Sequence, residues 1–400
     1  MRRNARRVFR AAIAGGGLVV AWTGCNGLLD NGYPVGGSNM DAASDVSQGD
    51  DSASDAGSLG DAGDLRDVTT GTCDADLASS AANCGACGHD CRPGACSNFQ
   101  CQPYLFAATE PPKYVGVGGS TIWFSTARGI GAIRRDGSDA GFLALKADGG
   151  SYPFDFDSTG SPIVATSGLD GLGNGTVTLA KCAVGTTCAS EANGGSPRGV
   201  TAIAVDPAAN FAYVGSRTDY GIRGLALDGG GGQSFNNDAI FRLQVYGSSV
   251  YWVNGTSLKR QDVTTLGNPD IVVIPGTGPL GSGLDAFFIR KQTIAYVKRL
   301  ALSHSVLSCM LPGCVPVDGG TPPTTNFSIL AMAMDDTSIY WADAHSVRKC
   351  DLKACSALSE VKLFADPVGL IADLAVDATT IYIADPGAND AGAGIYAVAK

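Results

Sequence analysis

The chain has 400 residues, enough for a large core or several domains, yet only 16% are charged and 55 are Gly, against a usual glycine share of about 7%. Glycine at that level, beside short β-branched and aromatic runs, implies many turns between strands and speaks against long helices beyond the N-terminus. A formal net charge of -10 argues against nucleic acid or an anionic membrane surface as partner.

Five arginines, Arg2, Arg3, Arg6, Arg7 and Arg10, precede the apolar stretch Ala11–Ala21. That order and length read as a signal peptide over 1–24, too short for a spanning anchor. It ends in Trp22-Thr23-Gly24-Cys25, which resembles a bacterial lipobox. The resemblance implies a lipid on Cys25 that anchors the chain to a membrane, and Asn26 after it implies sorting to the outer membrane, on its periplasmic or cell-surface face. Arg6-Arg7-Val8-Phe9 also resembles a twin-arginine export motif.

Residues 25–72 carry nine Asp against Arg66 alone, with Ser, Gly and Ala between them. Such a segment buries too little surface to offset its ordering entropy and reads as a disordered tether. Its Asp spacing lacks the D-x-D-x-D-G loop of a calcium site. As a flexible spacer it reaches roughly 35–40 Å.

Residues 73–102 hold Cys73, Cys84, Cys87, Cys91, Cys96 and Cys101 in C-x10-C-x2-C-x3-C-x4-C-x4-C spacing, with hardly an apolar side chain. A module this poor in core needs cross-links or metal. Zinc is the rival, since Cys84, Cys87, His89 and Cys91 have plausible ligand spacing. Export to an oxidising compartment favours three disulfides, whose connectivity the sequence leaves open. Asn83-Cys84-Gly85-Ala86-Cys87-Gly88-His89-Asp90-Cys91, then Gly94-Ala95-Cys96 and Cys101, resembles the NCGxCGxxC module of exported myxobacterial lipoproteins. The resemblance implies a low-complexity tether before the module and a β-propeller after it. It brings no biochemical activity.

From 103 to 400 a strand, short turn, strand unit recurs. Markers at Trp123, Val164, Tyr213, Tyr251, Ala295, Tyr340 and Tyr382 lie 41, 49, 38, 44, 45 and 42 residues apart. A period near 43 with several short strands per unit is that of a β-propeller blade. The expected fold is all-β, with seven blades. The seventh unit stops at its third strand, Ile395–Val398, so Tyr104–Ala108 is expected to supply its fourth and close the ring. Six blades is the rival count, because Tyr340-Trp341-Ala342-Asp343 and Tyr251-Trp252-Val253-Asn254 resemble the YWTD repeats of six-bladed receptor propellers. Six would demote the irregular second unit.

Three Cys pairs, Cys182/Cys188, Cys309/Cys314 and Cys350/Cys355, fall where each would clip the turn after a third strand. With these and the module paired, Cys25 is the odd one of 13, which agrees with its lipidation.

Signals for chemistry are sparse. His89, His304 and His345 are the only histidines, and no H-x-x-x-H, G-x-S-x-G or P-loop occurs. Gly171-Leu172-Gly173-Asn174-Gly175 reads as a turn entering a strand. Asp157, Asp206, Asp335 and Asp377 recur where first strands end and read as turn residues that bond nearby backbone. Trp123, Tyr213, Tyr251, Trp252, Tyr340, Trp341 and Tyr382 read as packing between blades. No catalytic residue, cofactor or metal is expected. The expected function is non-catalytic binding of a protein or glycan by a monomeric, tethered head. The alternatives are a structural envelope component, or an exported lyase or hydrolase using His304 or His345 at the channel mouth beside several Asp.

Overall fold

The computed structural model describes residues 77–400, apart from 85–89, 92, 99, 146–151, 170–174, 185–187, 196–198, 218–220, 231, 235–237, 264–270, 276–282, 313, 317–321, 344–345, 354, 358–360, 366–370 and 388–391. The signal peptide, the tether, Cys25, Cys73, Cys87, His89 and His345 lie outside these residues.

Seven antiparallel sheets follow one another along the chain. Their first strands are Tyr114–Gly118, Phe154–Phe156, Val200–Asp206, Arg242–Tyr246, Gly283–Arg290, Ala331–Met334 and Asp373–Val376. Each first strand touches those of the blades before and after it, and the seventh touches the first. The ring is closed, and the fold is a seven-bladed β-propeller. Among the described residues, seven buried apolar clusters fill the seven seams between blades. This arrangement follows from strands that are apolar on both faces, as fully sandwiched sheets must be.

The second unit is a full blade. Its long interval comes from long strands, Pro162–Leu169 and Gly175–Lys181, with Ala189–Gly195 outside them. The seventh blade is completed by Tyr104–Ala108, which pairs antiparallel with Gly394–Ala399 (Tyr104 opposite Ala397, Ala108 opposite Gly394). Both ends of the propeller sequence therefore share one sheet, and no blade is left with an unpaired third strand.

The aromatic residues of the second strands explain the seams. Side chains of consecutive strand residues point to opposite faces. Tyr340 packs into the seam of blades 6 and 7, and Trp341 into that of blades 5 and 6. Tyr251 and Trp252 divide the same way between the seams on either side of blade 4. All seven aromatics read as packing residues are at most 3% exposed. Glycine serves the ring where blades crowd: a Cβ on Gly118 would stand 2.2 Å from the Gly160 carbonyl oxygen of the next blade.

Disulfides Cys182–Cys188, Cys309–Cys314 and Cys350–Cys355 each clip the chain as it leaves a third strand. In the module the described pairs are Cys84–Cys96 and Cys91–Cys101. Those four cysteines are buried in the same apolar cluster as Ala331, Ile371 and Val398, and so join the seam of blades 6 and 7. Residues 70–400 form one compact unit. Disulfides of this number suggest an extracellular or exported protein. Among the described residues no helix is long and apolar enough to cross a membrane.

Candidate functional site

The first strands line an axial channel. Their edges face it, so their outward amides and carbonyls need partners. Side chains supply some of them. Asp155 accepts from the Val205 amide of the next blade at 2.8 Å. Asp373 accepts from the Val115 amide at 3.1 Å. Gln244 bonds both the amide and the carbonyl of Ile289, each at 2.8 Å. Each bond ties neighbouring blades at the channel wall. Sequence reasoning missed these three residues. The available signal was a polar residue between apolar ones in a first strand, as in Phe154-Asp155-Phe156. Burial pushes the Asp155 carboxyl up to about 6, against the lowering effect of amide bonds from Val205 and Phe156. The Asp373 carboxyl is likewise raised by burial, with Arg242 and the Val115 amide opposing.

One mouth of the channel is built from the turns between first and second strands. Here the four strand-end aspartates do what turn residues do. Asp157 accepts the amides of Thr159 and Ser161 (2.8 and 3.0 Å), and Asp206 those of Ala208 and Ala209 (both 3.0 Å). Asp335 accepts from Thr337 and Ser338 (2.7 and 2.8 Å), and Asp377 from Thr379 and Thr380 (2.9 and 2.8 Å). Two of them also line a pocket of about 510 Å³ with Arg135, Arg290, Asp336 and Lys400.

The charges of this hairpin mouth are matched internally. Lys400 lies 2.5 Å from Asp335, Arg290 2.7 Å and Lys291 2.5 Å from Asp336, and Arg135 3.5 Å from Asp377. Burial alone would raise the Asp335 carboxyl. Lys400, Thr337 and Tyr340 outweigh that and hold it well below the ordinary carboxylate range. This mouth reads as a set of ion-paired turns.

The opposite mouth lies where the chain enters each first strand. It holds a pocket of about 400 Å³ lined by Pro112, Lys113, Tyr114, Thr201, Arg217, Phe241, Arg242, Ala372 and Pro386, drawn from blades 1, 3, 4 and 7. Arg242 also donates to the Leu330 carbonyl of blade 6 at 3.0 Å. The Arg217 guanidinium lies 4.1 Å from the Phe241 ring centroid. Nearby carboxylates are turned inward: Asp343 is 1% and Asp385 4% exposed. Asp343 bonds Ser346 and pairs with Arg348, while Asp385 accepts the Gly387 amide.

Of the histidines, His304 opens the third strand of blade 5 and is buried, with Nε2 3.2 Å from Asp285. It lines neither of these pockets, and its partner Asp285 belongs to the first strand of its own blade. Four described module cysteines are consumed in disulfides, so the sulfurs of Cys84, Cys91 and Cys101, within 4.8 Å of one another, are cross-links.

No known protein family matches the chain by sequence, and no curated protein does. Similar solved structures are numerous. Hydrazine synthase of Kuenenia stuttgartiensis superposes with a TM-score of 0.53 at 12% identity, covering 74% of this chain and 97% of that one. The WD40 domain of Neurospora crassa Pan2 gives 0.55 at 11% identity, covering 74% and 91%. Identities this low show the propeller fold alone.

Proposed function

We propose that this chain is a membrane-tethered, non-catalytic binding lipoprotein of the cell envelope, which engages its ligand at the entry mouth of the propeller. One contrast supports the reading. At the hairpin mouth the cations are engaged by aspartates. At the entry mouth, Arg217 and Arg242 form no ion pair among the described residues, and their pocket opens to solvent. The Cys25 lipobox and the Asp-rich tether supply the anchor and the reach in this proposal. His304, held inside blade 5, gives no support to the lyase or hydrolase alternative.

The test is a glycan array probed with the detergent-solubilised full-length chain, followed by mass analysis of the spots. The reading expects retention on some glycans, lost in an Arg217→Ala/Arg242→Ala variant, with glycan masses unchanged. Shortened glycans would support the enzyme reading. No retention, alongside an envelope defect on gene deletion, would favour a structural component.

A further inference from the structure

The entry mouth is cationic in a chain of net charge -10. Its lining carries Lys113, Arg217 and Arg242 and, among the described residues, no carboxylate. Asp373 lies below, occupied by the Val115 amide. No described carboxylate lines the pocket beside Arg217, whereas Arg242 already interacts with the buried Asp373 carboxyl beneath it.

Both arginines are held in place before any ligand arrives. Arg217 rests on the Phe241 ring, and Arg242 is moored to the Leu330 carbonyl. A guanidinium stacked on an aromatic face keeps its planar N–H fork available, the geometry that matches a carboxylate. Holding the side chain beforehand removes part of the ordering entropy that binding would otherwise cost. The remaining walls, Tyr114, Pro112 and Pro386, offer flat apolar surfaces. About 400 Å³ falls within the range of small-ligand pockets.

Resting on the reading of this mouth as the binding face, we infer that its ligand is an acidic saccharide of the uronate type. Its carboxylate meets Arg217 and Arg242, and its sugar ring lies against Tyr114.

The experiment is calorimetric titration of the full-length chain, in detergent, with trimers of galacturonate, mannuronate and guluronate. The controls are the methyl-esterified galacturonate trimer, a sulfated neutral trimer and tri-glutamate. At least one uronate trimer is expected to bind. Its affinity is expected to fall tenfold or more in Arg217→Ala and in Arg242→Gln, and to weaken as salt is raised. Arg217→Lys, which keeps the charge without the fork, is expected to lose most of the same affinity, and melting curves check that each variant is folded. If the ester binds as well as the acid and the variants lose both, the mouth is still the binding face and the acidic class is wrong. Preference for the sulfated trimer or for tri-glutamate overturns the uronate assignment. So does failure of every uronate trimer to bind, or binding that the substitutions leave unchanged.

Discussion

The hydroxyl of Tyr340 donates to Oδ2 of Asp335 at 2.9 Å, and Oδ1 of the same aspartate holds the turn that joins their two strands. Blade 7 repeats the arrangement with Tyr382 and Asp377 at 3.1 Å. A tyrosine read as packing and an aspartate read as a turn residue are thus one device, five residues apart. Burial, reinforced by the adjacent carboxylate, raises both phenols.

Replacing either tyrosine by Phe keeps the ring in its seam and removes a bond to a charged acceptor. Each of Tyr340→Phe and Tyr382→Phe is expected to cost about 1–2 kcal/mol, read from denaturant midpoints. Asp335→Ala, which also removes the turn bonds, is expected to cost more than either. A neutral Tyr340→Phe would show that the hydroxyl contributes no net stability.

Asp155 gives the channel wall a pH dependence. Its folded value of about 6 lies above the ordinary 3.8, so folding favours the protonated form. Its contribution is full below pH 4 and is lost as pH rises through 6. The whole shift corresponds to at most about 3 kcal/mol. Asp157 runs the other way. Lys181 at 2.5 Å and the Thr159 hydroxyl outweigh its burial and lower it to about 2. Its contribution is present above pH 4 and lost as pH falls through 2. Melting curves from pH 3 to 7 are expected to show a decline between pH 4 and 6 that flattens in Asp155→Asn. An unchanged slope in that variant would remove Asp155 from the account.

Ring closure can be tested by truncation. A chain that begins at residue 103 keeps Tyr104–Ala108 and is expected to fold as a monomer. One that begins at 110 leaves Gly394–Ala399 as an open edge and is expected to aggregate or dimerise through blade 7. Gel filtration of the two separates the outcomes, and identical monomers would show that closure does not need the strand.

The cysteines predict masses. Full-length protein extracted from membranes is expected to gain twelve hydrogens on reduction, for six disulfides, and to carry a diacylglycerol on Cys25. Free thiols or zinc within 73–101 would contradict this. Removing one staple, as in Cys309→Ser/Cys314→Ser, is expected to cost about 2 kcal/mol.

The ring was legible in the sequence because its signals are local. Alternating apolar pairs such as Tyr340 and Trp341 mark second strands, and an aspartate such as Asp377 marks the turn before them. Even closure could be read, since Tyr104–Ala108 had no partner of its own and the seventh unit lacked a strand. The sites were less legible because they are assembled across blades. Arg217 and Phe241 meet from blades 3 and 4, and Arg242 reaches Leu330 over a separation of 88 residues. Nothing in the local sequence of either arginine marks it out from any surface cation. The likeness to YWTD repeats pointed to six blades. The ring has seven, because the second unit's irregular spacing conceals four well-formed strands.

The most direct measurement is hydrogen–deuterium exchange on the full-length chain, with and without the tightest-binding glycan from the array. The account predicts slowed exchange at 112–115, 201–203 and 240–243, with the hairpin turns at 335–338 and 377–380 unaffected. Slowed exchange at those turns alone, or at neither mouth, would contradict it.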